Sequence, residues 1–192
     1  MKIKICGLFN PADIDYVNEA LPDYIGFVFA ESKRKITHKT AREFKKRLDS
    51  RISAAGVFVN ADISEILRLY TDGVINIAQL HGNESAEYIG KLKETCAIPI
   101  IKAIHAVDDY PDNADFLMFD SGAGGTGEAF DWSLIPKCDK PFFLAGGINP
   151  DNIAEAAGQG AYCIDISSGA EADGKKNKEK IITLVNNVRR NN

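Results

Sequence analysis

The sequence predicts an α/β protein, a single (β/α)8 barrel of the TIM type, and three observations carry that prediction. Eight short apolar runs alternate with about eight segments at helical spacing. The runs are continuous rather than half polar, as expected of parallel strands covered on both faces. No Gly-x-Gly-x-x-Gly follows the first run, and no linker, low-complexity tract or composition break divides the chain, which disfavours an open doubly wound sheet. One catalytic domain over residues 1–192 is therefore expected. The length, 192 residues, falls short of the ~250 typical of such barrels. The connections must be tight, and the fifth helix weak or missing.

The elements follow in order. Lys2 to Cys6 alternates Ile and Lys and reads as a short strand. Asn10-Pro11 starts a helix, with Asn as N-cap and Pro at the first position. Tyr24 to Phe29 is a buried strand, and Thr37-His38-Lys39-Thr40 opens a helix through Ala41, Phe44 and Leu48. Ile52 to Val59 is a strand, followed by a helix capped by Asp62. Ile75 to Leu80 is a strand, and Asn83-Glu84 opens the next helix. Pro99 to Ile104 is the fifth strand; His105 to Asn113 holds too few apolar positions for a full helix. Phe116 to Asp120 is the sixth strand, with a glycine-rich loop, Ser121 to Gly127, and a short helix near Trp132 after it. Pro141 to Ala145 and Tyr162 to Ile166 are the last strands, each followed by a helix; Asn149-Pro150-Asp151 starts the first of these and about Asn177 to Val188 forms the last.

Composition excludes several function classes. The chain is 45% hydrophobic and 26% charged, too apolar for a disordered segment. Its apolar runs are far shorter than the ~20 residues of a membrane span, and Met1 to Cys6 does not read as a signal peptide. A net charge of −4 argues against a nucleic-acid or anionic-membrane partner. A cytoplasmic protein is expected. Cys6, Cys96, Cys138 and Cys163, with His38, His81 and His105, show no metal-type spacing and no disulfide framework.

In such barrels the active site lies at the C-terminal ends of the strands. Reading those ends gives Cys6, Arg34, Asn60, His81, Asp120, Gly146-Gly147, and Asp165 with Ser167-Ser168-Gly169. Glycine turns after consecutive strands seven and eight let bare N–H groups cradle an anion, and those loops with a short extra helix form the recurring phosphate site of the fold. Glu171 to Lys175 is expected to supply that helix. No equivalent turn follows strand three, so one phosphate is expected rather than two. Strands one and six face each other across the ring, which sets a thiol, Cys6, opposite a carboxyl group, Asp120: one group to take a proton and one to give it. The plainer readings are a packing cysteine and a loop cap. Arg34 is either part of a solvated run, Lys33-Arg34-Lys35, or the partner of a planar carboxylate. Asp165, between two isoleucines, needs a ligand hydroxyl or a loop N–H. His81 reads as a capping or packing residue. Cys96, Cys138 and Cys163 read as structural.

Taken together, the motifs resemble one family. They are Lys4-Ile5-Cys6-Gly7, Gly26-Phe27-Val28-Phe29 with Ser32-Lys33-Arg34, Gly56-Val57-Phe58-Val59-Asn60 and Gln79-Leu80-His81-Gly82-Asn83-Glu84. Asp120-Ser121 with Gly124-Gly125-Thr126-Gly127, Phe130-Asp131-Trp132, Leu144-Ala145-Gly146-Gly147 and Asp165-Ile166-Ser167-Ser168-Gly169-Ala170-Glu171 complete the set. In this order they resemble the phosphoribosylanthranilate isomerases of tryptophan biosynthesis, from residue 2 to about 182. The resemblance implies a barrel enzyme without cofactor or metal, a monomer or homodimer, acting on a small phosphosugar–anthranilate substrate. It implies Cys6 as general base, Asp120 as general acid and Arg34 as the anthranilate-binding residue. It implies Gly146, Gly147, Ser167, Ser168 and Gly169 at phosphate, Asp165 at sugar hydroxyls, and His81 as a possible substrate contact. The chain departs from the family at Gly174-Lys175-Lys176-Asn177, where Asn replaces an Asp that caps the last helix. Rival readings are a two-phosphate isomerase of histidine synthesis, a metal-dependent pentose-phosphate epimerase and a non-catalytic binding barrel. The first lacks its second anion loop, the second its metal set, and the pairing of Cys6 with Asp120 speaks against the third.

Overall fold

In the computed structural model, residues 1–104, 111–120, 132, 135 and 138–190 are described. Eight parallel strands close on themselves in sequence order. They are β1 Lys2–Cys6, β2 Tyr24–Val28, β3 Ser53–Phe58, β4 Ile77–Leu80, β5 Ile100–Ile104, β6 Phe116–Phe119, β7 Phe142–Leu144 and β8 Cys163–Ile166. The outer helices are α1 Pro11–Ala20, α2 His38–Arg47, α3 Ile63–Thr71, α4 Ala86–Thr95, α5 Ile153–Ala157 and α6 Lys178–Arg190. The weak fifth helix expected after β5 falls mainly on 105–110, outside the described residues, as do the glycine-rich loop 121–127 and most of the segment around Trp132. None of the described helices is long and apolar enough to cross a membrane.

Strand geometry explains the alternation in β1. Successive side chains point to opposite faces. Ile3 and Ile5 enter the apolar layer between barrel and helices, with Phe27, Ile25 and Ile164. Lys4 is fully buried, and its register partner across β1–β8 is Asp165. The polar face of this strand is thus the barrel interior, not solvent. Below it the interior is apolar: Ala55, Ile77, Ile101, Ala103, Met118, Phe143 and Cys163 pack together. That plug closes the N-terminal side of the ring and leaves the C-terminal mouth for chemistry.

Three local expectations are corrected. First, α4 starts at Ala86, with Ser85 as N-cap accepting from the Tyr88 N–H, rather than at Asn83-Glu84. Glu84 is buried instead, and its carboxylate accepts from the N–H groups of Asn60 and Gly82 and from Lys102. Second, Asn149-Pro150-Asp151 is a side-chain-pinned turn, and α5 begins only at Ile153. Third, Glu171 to Lys175 is not a helix. Ser168–Ala170 forms one 3-10 turn, then β9 Glu171–Ala172 pairs antiparallel with β10 Lys175–Lys176. Asp173 and Gly174, at φ 52° and 73°, make the Asp-Gly hairpin turn. The departure at Asn177 is harmless to the last helix, because Asn177 Oδ1 accepts from the Lys180 N–H at 3.0 Å.

Candidate active site

The barrel mouth opens into a pocket of about 520 Å³. Cys6, Arg34, His81, Asp120, Gly146, Gly147, Asp165, Ser167 and Ser168 all line it. Gly169 stands behind this wall. A Cβ on Gly169 would fall on the carbonyl oxygen of Ile148, so the residue lets the loops after β7 and β8 touch. Asn60, the remaining strand-end candidate, does not line the pocket. It takes φ 50°, which Asn tolerates, and its side chain accepts from the Asn83 N–H at 2.9 Å.

Cys6 ends β1 opposite Gly26 of β2. A Cβ on Gly26 would stand 2.5 Å from the Cys6 sulfur, so glycine provides the notch in which the thiol lies. Burial pushes the Cys6 thiol up, and although Lys4 and Lys176 oppose the rise, burial wins.

Asp165 meets a lysine rather than a loop N–H. Its two oxygens accept from Lys4 Nζ at 3.0 and 2.9 Å. Burial on its own would lower Lys4, but the Asp165 carboxylate and the Cys6 sulfur together raise it above the ordinary lysine range. Lys4 is therefore a protonated cation below the pocket floor.

Arg34 does not belong to a solvated run. Its neighbours Lys33 and Lys35 are exposed, but Arg34 is buried. Nε donates to Glu171 Oε1 at 2.6 Å and Nη2 to Oε2 at 3.0 Å, a bidentate fork. The stem crosses Gly7, whose φ of 77° and missing Cβ make room for it. Lys176 donates to the same carboxylate and to the Ser167 carbonyl, both at 2.9 Å. Burial pushes Glu171 up, but Arg34 and Lys176 outweigh that and hold it below the usual range. Glu171 and Lys176 were missed from sequence. The Asp173-Gly174 turn is the signal that would have placed them side by side.

His81 bridges. Its Nε2 lies 3.3 Å from Asp120 Oδ2 and its Nδ1 3.0 Å from Gln79 Nε2. The ring thus stands between the Gln79 amide and the Asp120 carboxyl group. The backbone holds His81 in place: its N–H donates to the Phe58 carbonyl, and Lys102 and Glu84 lock the following Gly82. Gln79, which lines the pocket, is a third missed residue. Its place in an unbroken apolar strand was the cue. Among the described residues, no cluster of three or more His, Cys, Asp or Glu is set to hold a metal ion.

Known proteins resemble this chain over nearly its whole length. A family model described as N-(5'phosphoribosyl)anthranilate (PRA) isomerase matches residues 3–187. An N-(5'-phosphoribosyl)anthranilate isomerase from Endomicrobium trichonymphae is 48% identical over 196 residues, with 98% of each chain covered. Its namesake from Caldanaerobacter subterraneus is 39% identical over 199 residues, again with 98% of each covered. Among solved structures, phosphoribosyl anthranilate isomerase from Thermus thermophilus superimposes with a TM-score of 0.87 at 30% identity, with 99% of both chains covered. A phosphoribosyl anthranilate isomerase in complex with reduced 1-(o-carboxyphenylamino)-1-deoxyribulose 5-phosphate gives 0.80 at 30% identity, with the same coverage. With its motifs, its closed barrel and a match over nearly its whole length, the chain belongs to the N-(5'-phosphoribosyl)anthranilate isomerase family of enzymes.

Proposed function

We propose that the chain converts N-(5'-phosphoribosyl)anthranilate to 1-(2-carboxyphenylamino)-1-deoxyribulose 5-phosphate, an Amadori rearrangement in tryptophan biosynthesis. The observation that carries this reading is the convergence of Cys6 from β1 and Asp120 from β6 on one pocket walled by the glycine turns after β7 and β8. Asp120 gives its proton to the furanose ring oxygen as the C1′–O bond breaks. The anilino nitrogen lone pair forms the C=N bond of a Schiff base. The Cys6 thiolate then takes the C2′ proton, and the electrons of that C–H bond return through C1′ to nitrogen, leaving an enolamine that tautomerises to the ketose. His81, whose Nε2 lies 3.3 Å from Asp120 Oδ2, orients the Asp120 carboxyl group. No step calls on a metal or a redox carrier. Asp165 is within the pocket wall to meet sugar hydroxyls, and every proposed residue comes from one barrel, so a monomer or a homodimer serves equally.

The test is turnover: on adding enzyme, the fluorescence of the anthranilate adduct should fall without release of free anthranilate. Appearance of free anthranilate would mean hydrolysis, and unchanged fluorescence would remove the assignment. The pH dependence adds a second check. A general base must be deprotonated, and burial raises the Cys6 thiol. A raised pKa moves the rising limb to higher pH, so kcat/KM should still be climbing above about pH 8.5, the ordinary thiol value. A plateau reached well below pH 7 would contradict a buried thiol as base.

Arg34 is proposed to bind the anthranilate carboxylate through Nη1, the nitrogen not engaged by Glu171. Arg34→Ala should raise KM and weaken product binding by about ten- to a hundred-fold, from ~1.5–3 kcal/mol for a charge-assisted contact. Inorganic phosphate should bind the variant as it binds wild type. Unchanged KM would leave Arg34 as a structural partner of Glu171 only.

A further inference from the structure

We propose that Lys4 is a positioning residue for the reaction: clamped by Asp165 beneath the pocket, it serves as the counter-ion of the Cys6 thiolate. This rests on the reading of Cys6 as general base. Lys4 and Cys6 are two residues apart on one strand and so face the same side, the barrel interior. Lys4 has no exposed surface, yet it is no random burial, because both Asp165 oxygens hold its ammonium. Cys6 follows on the same face of the strand and lines the pocket together with Asp165. One buried ammonium thus lies between a carboxylate from β8, which it holds, and the stretch of β1 that carries the thiol.

Burying a charged pair costs several kcal/mol per ion in desolvation, and well-packed apolar residues often do as well for stability. A lysine in this position therefore calls for a reason other than stability. The thiol supplies one. Burial penalises the thiolate, and a fixed cation on the same face of the strand offsets part of that penalty. The other groups facing Cys6 are few. Asp165 from β8 opposes thiolate formation, Lys176 from β10 assists it, and Gly26 from β2 brings no charge. His81 and Asp120 face Asp165 from the far side of the pocket.

Because Lys4 and Asp165 act on the thiol with opposite signs, their removal should move it in opposite directions. The measurement is the pH midpoint of Cys6 alkylation by iodoacetamide, followed by mass spectrometry of the peptide that carries Cys6. Lys4→Met should raise the midpoint by about one to three pH units, the range for loss of an adjacent opposite charge. Asp165→Asn should lower it, since the thiolate then becomes the main anion facing Lys4. The double variant Lys4→Met/Asp165→Asn leaves no uncompensated buried charge and guards against misfolding of the single variants; it should titrate above wild type. In kinetics, Lys4→Met should shift the rising limb of kcat to higher pH by the same amount and change KM little. A folded Lys4→Met variant with the wild-type midpoint, or a double variant that titrates below wild type, would overturn the proposal. So would shifts of the same sign in Lys4→Met and Asp165→Asn, the outcome of a merely structural disturbance. The midpoint is read without substrate, so it stands apart from the functional reading, which fails instead if Cys6→Ser turns over normally.

Discussion

Replacing Cys6 by serine is expected to cut kcat about a hundred- to ten-thousand-fold, the span attributed to a positioned acid or base. Serine differs from cysteine by one atom and fits the notch opposite Gly26. Its hydroxyl does not ionise near neutral pH, so the C2′ proton would have no acceptor. Binding should survive, because the phosphate loops, Arg34 and Asp120 come from other strands. A titration with the reduced product analogue should give nearly the wild-type affinity. A serine variant with near-wild-type kcat would remove Cys6 from the mechanism.

Gly147→Val is expected to abolish most phosphate-dependent affinity in a barrel that still folds. Gly147 sits at φ 62°, a left-handed conformation that a β-branched residue resists by roughly 1–2 kcal/mol. The loop has no slack to relax the strain, since its carbonyl accepts from Asn149 Nδ2 at 3.2 Å and Asn152 Nδ2 at 3.1 Å. Either the backbone shifts and its N–H groups lose their aim, or the valine methyls enter the space of the phosphate oxygens. Each lost charge-assisted bond costs ~1.5–3 kcal/mol, so affinity for phosphorylated product should fall at least ten- to a hundred-fold. A circular-dichroism melt establishes folding, and a product titration reads the effect. A folded variant that binds product as wild type does would place the phosphate elsewhere.

The architecture was legible because parallel strands buried on both faces leave an unmistakable rhythm of apolar runs. Their ends were legible too, because polar side chains and glycines punctuate them; nine of the ten site residues proposed from sequence line one pocket. What stayed hidden were long-range pairings. Lys4 stands in a strand that alternates Ile and Lys, and nothing local says that the strand's polar face is a barrel interior opposite Asp165. Glu171, 137 residues from Arg34, could be paired with it only once the ring had closed. Glu84 mimics a helix start, a carboxylate ahead of an apolar run, whereas tertiary structure directs it to the N–H groups of Asn60 and Gly82. The segment Glu171 to Lys175 was misread for the opposite reason. Its Asp-Gly turn was present and specific, but a helix was expected there by analogy with other phosphate-binding barrels.

The division of labour between Cys6 and Asp120 is tested most directly by single-turnover decay of adduct fluorescence with enzyme in excess over N-(5'-phosphoribosyl)anthranilate. Excess enzyme removes product release from the measurement and reports the chemistry alone. Wild type should consume the adduct in one rapid phase. Cys6→Ser and Asp120→Asn should each slow that phase by at least about a hundred-fold, while both still bind the reduced product analogue. A rapid phase retained in either variant would contradict its assignment as base or acid, and the absence of any decay with wild type would contradict the isomerase itself.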